Sequence, residues 1–293
     1  MTVLRTPDER FANLPGFPFA PHYVQIGETR VHYLDEGSGE PILCLHGEPS
    51  WSYLYRKMIP PLAAHHRVLA MDFVGFGRSD KYTDPAAYTF QMHRDTLVGF
   101  IEALNLQNIT LVVQDWGGLI GLTVATQLPE HFARLVIMNT GLPVGDPMPE
   151  AFNRWREFSI KLGTRLPIGR VIQGGTTTDL PPEILAAYEA PFPDDSYKVG
   201  AAVWPSLIPT SPEDPGAAEM RAAREKLRQW QKPAITLFSD SDPITAGGDL
   251  WFRRLMGIRS KDQPRIVIEN AGHFLQEDKG EEIAGHILAF INS

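Results

Sequence analysis

The sequence predicts an α/β fold in which helices cover both faces of a mostly parallel sheet. Short apolar runs rich in β-branched residues alternate with longer segments of helical periodicity along most of the 293 residues. Such an alternation is typical of strand–helix–strand units whose parallel strands are buried. Hydrophobic residues make up 43% of the chain and charged residues 21%, which is enough apolar material for a large core.

The individual elements follow from this alternation in chain order. Strands are predicted at residues 30–34, 42–45, 68–71, 109–113, 135–138, 234–238 and 266–268. Helices are predicted at residues 90–104, 119–128, 248–256 and 281–291. The pair Gly27-Glu28 interrupts the first apolar run, which favours an antiparallel hairpin around residues 24–34 at the edge of the sheet.

The pattern changes between residues 145 and 215. Strand signals disappear there and proline becomes frequent, while short helices are predicted at residues 150–162 and 182–188. The segment is too long for an ordinary loop and too rich in aromatic residues to be disordered. We therefore predict a main domain formed by residues 1–144 and 216–293. A helical cap domain, residues 145–215, is expected to be inserted after the sixth strand of the main sheet.

Charge and composition disfavour several classes of partner. The net charge is −8 and there is no basic run, so nucleic acid is not an expected partner. The first residues carry charge and proline where a signal peptide has an apolar core, and no run reaches the ~20 apolar residues of a membrane span. The single cysteine, Cys44, lies in an apolar strand. We expect a soluble, cytoplasmic monomer without membrane contact, metal or cofactor.

The segment 111–118 (LVVQDWGG) predicts a strand, a sharp turn and a helix. This is the arrangement of a nucleophile elbow, usually written G-x-S-x-G, with Asp115 at the nucleophile position and Val113 in place of the first glycine. A carboxylate that attacks saturated carbon forms an ester, which water can cleave, whereas serine would form a stable ether. Asp115 is also a good N-cap for the following helix, and the two roles are compatible.

An elbow of this kind needs an acid and then a histidine further along the chain. His273 follows the strand predicted at 266–268, at the end where open α/β sheets build their sites. Asp240 and Asp242 both follow the strand predicted at 234–238. We favour Asp242, because Asp-Pro-Ile after a short turn fits the acid position of this architecture, and interpret Asp240 as a solvated turn residue.

Several segments resemble haloalkane dehalogenases, a family of the α/β-hydrolase superfamily. The similar segments are 45–53 (LHGEPSWSY), 72–80 (DFVGFGRSD), 113–118 (VQDWGG), 187–193 (AYEAPFP) and 271–274 (AGHF). The resemblance covers most of the chain and implies an α/β-hydrolase fold with an inserted helical cap. It is closest to the subfamily that takes its acid after the seventh strand and binds halide with two tryptophans.

The resemblance also implies a role for each residue in hydrolysis of a haloalkane to a primary alcohol, halide and a proton. Asp115 would be the nucleophile, His273 the general base and Asp242 the residue that orients it. Trp116 and Trp155 would bind the halide, with Trp204 an apolar pocket wall instead. The backbone N–H groups of Glu48 and Trp116 would form the oxyanion hole, while the Glu48 side chain either positions the water or structures its loop. The partners implied are a small apolar halogenated substrate, water and halide.

Two other functions compete with this one. Epoxide hydrolases also use an aspartate followed by tryptophan in this fold, but they need acidic donors for an alkoxide, for which Tyr188 and Tyr197 are the candidates. A non-catalytic binder of the same fold has no need of Asp115, Asp242 and His273 together.

Overall fold

A computed structural model describes residues 2–258 and 263–293. The strands are β1 (Val3–Leu4), β2 (His22–Ile26), β3 (Thr29–Glu36), β4 (Pro41–Leu45), β5 (Arg67–Met71), β6 (Lys81–Tyr82), β7 (Ile109–Gln114), β8 (Phe132–Met138), β9 (Ala234–Ser239) and β10 (Ile266–Ile268). The helices are α1 (Ile59–Ala63), α2 (Phe90–Ala103), α3 (Trp116–Gln127), α4 (Glu150–Leu162), α5 (Ile168–Gly174), α6 (Pro182–Glu189), α7 (Val199–Leu207), α8 (Ala217–Arg228), α9 (Gly248–Leu255) and α10 (Leu275–Ile291).

Eight of the strands form one sheet in the order β10-β9-β8-β7-β4-β5-β3-β2. Neighbours from β10 to β5 pair in parallel. At the other edge β3 is antiparallel to β5, and β2 is antiparallel to β3. The predictions of a mostly parallel sheet and of an antiparallel hairpin at its edge are therefore confirmed. Strands β1 and β6 form a separate two-stranded ribbon.

Alternate residues of the central strands enter two different layers of the core. Along β4, Leu43 and Leu45 belong to the layer that holds the buried residues of α2, α3 and α8. Ile42 and Cys44 belong to the layer that holds those of α1 and α10. Helices therefore cover both faces of the sheet, which explains why its central strands are apolar at every position. Burial raises the pKa of the Cys44 thiol, so it stays protonated and unreactive.

The register of the parallel strands brings their carboxyl ends together at one edge. Leu45 of β4 is paired with Val113 of β7, and Gln114 of β7 with Met138 of β8. Ser239 of β9 is paired in the same way with Ile268 of β10. The loops that follow these strands therefore start side by side, which is the position where sites form in open α/β sheets.

The chain leaves the sheet after β8, its sixth strand, and returns at β9. The segment between them contains α4 to α8 and no strand. Helices α4 and α6 lie where the sequence predicts them, whereas α5, α7 and α8 were not predicted. Helix α7 contains Pro205, which disfavours a helix prediction, whereas the buried residues of α8 do recur at helical spacing, with alanine at two of the four positions. Among the described residues, no helix combines the length and apolar character needed to span a bilayer.

Candidate active site

Asp115 lies in a sharp turn between β7 and α3. Its backbone has φ 50° and ψ −125°, a conformation that non-glycine residues rarely adopt. The turn is held by three hydrogen bonds: the Asp115 N–H donates to the Asn139 carbonyl (3.0 Å), and the Asp115 carbonyl accepts from the Gly118 N–H (2.9 Å) and the Thr140 hydroxyl (2.6 Å). The strand–turn–helix geometry predicted from the sequence is therefore present, with the Asp115 side chain at the carboxyl edge of the sheet.

Two glycines make room for this turn. A Cβ atom on Gly117 would lie 2.1 Å from the carbonyl oxygen of Leu45, because α3 starts directly against β4. A Cβ atom on Gly47 would lie 2.2 Å from Oδ1 of Asp115. Neither distance is compatible with a side chain, so glycine is required at both positions by the close approach of the two loops.

His273 lies between two carboxylates. Its Nδ1 is 2.9 Å from Oδ2 of Asp242, and its Nε2 is 3.5 Å from Oδ2 of Asp115. Asp242 is buried and also accepts hydrogen bonds from the Ile244 N–H (2.9 Å) and the Thr245 hydroxyl. The structure thus brings together the three side chains that the sequence predicted as a set.

The other candidate acid, Asp240, is placed differently. It is exposed and accepts hydrogen bonds from the backbone N–H groups of Asn270 (3.0 Å) and Ala271 (3.3 Å). It therefore braces the loop before His273 without contacting the imidazole. Of the two aspartates that follow β9, only Asp242 contacts His273 within the described residues.

The charges around His273 determine its protonation. Burial alone would lower the pKa of His273, but the carboxylates of Asp242 and Asp115 outweigh it and raise the pKa to about 10. Burial likewise opposes ionisation of Asp242, yet the contact with His273 brings the pKa of that carboxyl below its ordinary value. With both carboxylates ionised, the imidazole is therefore a cation at neutral pH.

Glu48 contacts Asp115 through its backbone. The Glu48 N–H donates to Oδ1 of Asp115 at 2.8 Å. The Glu48 side chain is buried, and its Oε1 has no hydrogen-bond partner among the residues described. Burial, reinforced by the charge of Asp115, raises the pKa of the Glu48 carboxyl well above its ordinary value, although His273 lowers it. Burial and the charge of Asp115 therefore favour the protonated form of the Glu48 carboxyl.

A cavity of about 410 Å³ opens directly onto Asp115. Its polar wall comes from the carboxyl edge of the sheet and from Arg170 of α5, and its apolar wall comes largely from α4, α5 and Phe274, just before α10. The lining residues include Glu48, Asp115, Trp116, Phe152, Trp155, Phe158, Pro167, Val171, Ile208, Ile244, His273 and Phe274. Such a cavity suits a small apolar molecule whose reacting atom faces Asp115.

Two tryptophans reach this cavity. Trp116 starts α3 and Trp155 lies on α4, and both line the cavity. Within the described part of the chain, neither indole N–H donates a hydrogen bond to another residue. Trp204 is fully buried and does not line the cavity: its Nε1 donates to Nε2 of His93 at 2.6 Å, and its ring lies behind Trp116 with centroids 4.8 Å apart. The prediction that Trp204 forms a pocket wall is therefore wrong.

Comparison with known proteins agrees with this geometry. Residues 40–167 match the family model of the alpha/beta hydrolase fold. The chain is 50% identical to a haloalkane dehalogenase from Psychrobacter cryohalolentis, with 100% of this chain and 99% of that protein covered. It is 48% identical to one from Mycobacterium marinum, with 99% and 100% covered. The chain belongs to the haloalkane dehalogenase family. The tetrameric haloalkane dehalogenase DpaA from Paraglaciecola agarilytica has a similar structure, with a TM-score of 0.92, 39% identity and coverage of 99% of this chain and 98% of that one.

Tyr188 and Tyr197, the candidate donors for an epoxide, do not line the cavity of this dehalogenase. Tyr188 is fully buried, and its hydroxyl donates to Oε2 of Glu277 at 2.6 Å. Tyr197 packs against the core at the end of the short segment before α7. Among the residues described, no tyrosine lines the cavity beside Asp115, so an alkoxide formed there has no phenolic donor.

The sequence did not predict a role in the site for two buried amide side chains, those of Asn139 and Gln114. The Asn139 side chain donates to the carbonyl oxygens of Gly272 (3.0 Å) and His273 (3.1 Å), and so holds the histidine loop against β8. The Gln114 side chain approaches His273 itself, at 3.1 Å from both the carbonyl oxygen and Nε2. The available signal was their position, because each is a polar residue at or just beyond the carboxyl end of a buried strand.

Proposed function

We propose that this chain hydrolyses carbon–halogen bonds of small haloalkanes to give a primary alcohol, a halide ion and a proton. One observation carries the proposal: the Asp115 carboxylate faces an apolar cavity whose other polar groups include two indole N–H donors and the His273–Asp242 pair. A carboxylate nucleophile, a mostly apolar binding space, anion donors and a base are the parts that such a displacement and hydrolysis require.

In the first step, an oxygen of Asp115 attacks the carbon that carries the halogen. The new carbon–oxygen bond forms as the carbon–halogen bond breaks, and the halide leaves with the bonding electrons. Because the negative charge moves from the carboxylate to the halide inside an apolar cavity, donors aimed at the halide are worth more than they would be in water. The product of this step is an alkyl ester of Asp115.

The halide is held by Trp116 and Trp155 in our proposal. An indole N–H is a donor without a competing acceptor, so it suits a soft anion. Both indoles line the cavity with their N–H groups unused by any described residue, whereas the Trp204 N–H is taken by His93. This pair, together with an acid that follows the seventh strand of the sheet, supports the subfamily suggested by the sequence.

In the second step, His273 takes a proton from a water molecule, and the hydroxide attacks the carbonyl carbon of the Asp115 ester. The backbone N–H groups of Glu48 and Trp116 stabilise the resulting oxyanion, an assignment supported by the 2.8 Å bond from the Glu48 N–H to Oδ1. The alcohol leaves with the proton carried by His273, and the carboxylic acid of Asp115 then returns its own proton to the imidazole. Water thus supplies the hydroxyl group, and the site returns to its starting state.

The change of charge at Asp115 prepares His273 for this role. In the free site two carboxylates face the imidazole and raise the pKa of His273 to about 10, so it holds a proton. Esterification removes the charge of Asp115 and leaves Asp242 alone, which lowers the pKa of His273 toward neutrality. After the alkyl transfer the imidazolium releases its proton to solvent, and only then is a neutral imidazole available as a base.

We further propose that residues 145–215 form a cap domain, which supplies Trp155 and most of the apolar wall. The cavity of about 410 Å³ has room for a small molecule beside Asp115. A cytoplasmic monomer remains our proposal for the state in the cell. Light scattering on the purified chain tests it, since a similar solved structure is tetrameric.

Bromide release from 1-bromobutane tests the proposed activity. We expect turnover by the wild type and none by Asp115→Ala, while Asp95→Ala, a surface carboxylate on α2 outside the cavity, keeps full activity. Diol formation from an epoxide without bromide release would favour epoxide hydrolysis instead. Absence of both reactions would favour a non-catalytic binder.

A further inference from the structure

The side chain of Gln114 makes an unusual contact with His273. Gln114 is fully buried at the end of β7. Its Nε2 lies 3.1 Å from the backbone carbonyl oxygen of His273 and 3.1 Å from the ring Nε2 of the same residue. Its Oε1 is buried and has no hydrogen-bond partner among the described residues. A buried, unpaired amide oxygen is costly, so the contacts of the other end of the amide need an explanation.

The carbonyl contact fixes which end of the amide faces the ring. A carbonyl oxygen accepts hydrogen bonds only, so the amide nitrogen of Gln114 must point toward the His273 carbonyl. The same nitrogen carries a second N–H, and this one faces Nε2 of the ring. An N–H meets Nε2 favourably only where that atom bears a lone pair, which means a neutral imidazole protonated on Nδ1.

The two carboxylates around His273 have the opposite effect to Gln114 on its protonation. Asp242 lies at Nδ1 and Asp115 lies 3.5 Å from Nε2, and both carboxylates favour the imidazolium ion. The Glu48 carboxyl and the Arg170 guanidinium also line the cavity, and burial beside Asp115 favours the neutral form of Glu48. Gln114 is thus the one neutral donor among the described residues that touches Nε2. Once Asp115 is esterified, the protonation of His273 depends on Asp242, which favours the imidazolium ion, and on Gln114, which favours the neutral ring.

We propose that Gln114 is a positioning residue for the second step, whose amide N–H favours the neutral form of His273, protonated on Nδ1, and yields Nε2 to the water that hydrolyses the Asp115 ester. This inference rests on the proposed function, because it concerns the alkyl–enzyme intermediate of that reaction. Gln114 does not touch the substrate in this account. It acts through the ring and through the backbone carbonyl of His273.

Loss of this donor should shift the pH dependence of ester hydrolysis. Ester hydrolysis requires neutral His273, so its rate rises with pH through the pKa that His273 has in the intermediate. Gln114→Met keeps the side-chain volume but removes the donor. We expect the midpoint of the pH profile of ester hydrolysis to rise by about one pH unit, with hydrolysis ~10-fold slower below that midpoint. Gln114→Glu replaces the donor by an acceptor for the Nε2–H, so the shift should be larger. Bromide release in the first step does not use His273 as a base and should keep its rate.

Single-turnover quenched flow with 1-bromobutane between pH 5.5 and 9.5 separates the two steps. Bromide reports alkylation, and the decay of the butyl–enzyme in mass spectra reports hydrolysis. The matched control is Gln276→Met, which changes an equally buried glutamine of α10 that makes no hydrogen bond to the triad within the described residues. The control should leave the midpoint of hydrolysis unchanged.

A midpoint that stays fixed in both Gln114 variants overturns the proposal. An equal loss of hydrolysis at every pH also overturns it, because that result indicates a structural role alone. If Gln114→Met does not fold, Gln114→Glu provides the same comparison. Absence of any bromide release by the wild type refutes the proposed function instead, so the two failures are distinguishable.

Discussion

The indole nitrogen of Trp204 donates to Nε2 of His93 at 2.6 Å, deep in the interior of the molecule. His93 accepts this bond in its neutral form, because burial lowers the pKa of His93 to about 3. The bond removes Trp204 from the set of available anion donors and fixes its ring against Trp116. Trp155 is thereby left as the cap tryptophan whose N–H is free to serve the cavity.

The first prediction follows from this difference between the cap tryptophans. Trp155→Phe keeps an aromatic ring on α4 but removes the donor, so we expect kcat/KM for a chloroalkane to fall by about 10²-fold. Trp204→Phe keeps both halide donors and should cost less activity, although it leaves Nε2 of His93 without its partner and lowers stability. Halide release and the quenching of tryptophan fluorescence by bromide provide the measurements.

Trp230→Phe, at the start of the segment before β9 and outside the cavity, is the control for the fluorescence change. Retention of bromide quenching by Trp155→Phe, with its loss in Trp204→Phe, would show that the halide site uses Trp204 and would contradict our assignment.

The second prediction concerns the acid that orients His273. Asp242→Asn removes the charge that stabilises the imidazolium and offers a donor where the ring needs an acceptor. We expect ester hydrolysis to slow by about 10³–10⁴-fold, as for other triads that lose this carboxylate. Asp240→Asn weakens the bonds to the loop at 270–271 and should affect the thermal midpoint more than the rate. Steady-state halide release by both variants tests this, and a larger loss of rate in Asp240→Asn would reverse the two roles.

The third prediction separates the two chemical steps. His273→Phe removes the base but leaves Asp115, Trp116 and Trp155 in place, so alkylation should proceed and hydrolysis should stop. We expect release of at most one halide per enzyme and accumulation of the Asp115 ester, which peptide mass spectrometry locates. The ester should be absent from Asp115→Ala treated in the same way. Continued turnover by His273→Phe would refute the two-step mechanism.

The parts of this site that the sequence predicted are those encoded by local patterns. The turn at Asp115 follows from a buried strand and two glycines, and His273 follows from its place after the last strand of the sheet. The contact of Gln114 with His273 joins residues 159 positions apart, and that of Trp204 with His93 joins residues 111 apart. Such pairs depend on how side chains interlock after folding, and no spacing in a single sequence reports them. Of the helices within residues 145–215, α5 and α7 were missed, because α5 is only seven residues long and α7 contains a proline, so both depend on tertiary packing.

The fourth prediction concerns the contact between the cap segment and α10. Glu277 is buried, accepts two hydrogen bonds of 2.6 Å from Arg56 and a third of 2.6 Å from the Tyr188 hydroxyl, and lies 3.1 Å from Nζ of Lys57. Glu277→Gln leaves the Arg56 charge buried without its partner, so the free energy of unfolding should fall by about 3 kcal/mol at pH 7. Tyr188→Phe removes one hydrogen bond to a charged group and should cost about 1.5–3 kcal/mol.

The effect of Glu277→Gln should depend on pH. Burial alone would raise the pKa of Glu277, but Arg56 and Tyr188 outweigh it and hold the pKa below the ordinary value of 4.5. The stability that the carboxylate contributes is therefore fully present above the ordinary pKa and is lost as the pH falls through the lowered one. Urea unfolding at pH 7 and near pH 3 should show the difference between wild type and Glu277→Gln shrinking in acid. The control for Tyr188→Phe is Tyr197→Phe, because the Tyr197 hydroxyl makes no hydrogen bond among the residues described. An equal loss of stability in both tyrosine variants would contradict a specific role for the Tyr188–Glu277 bond.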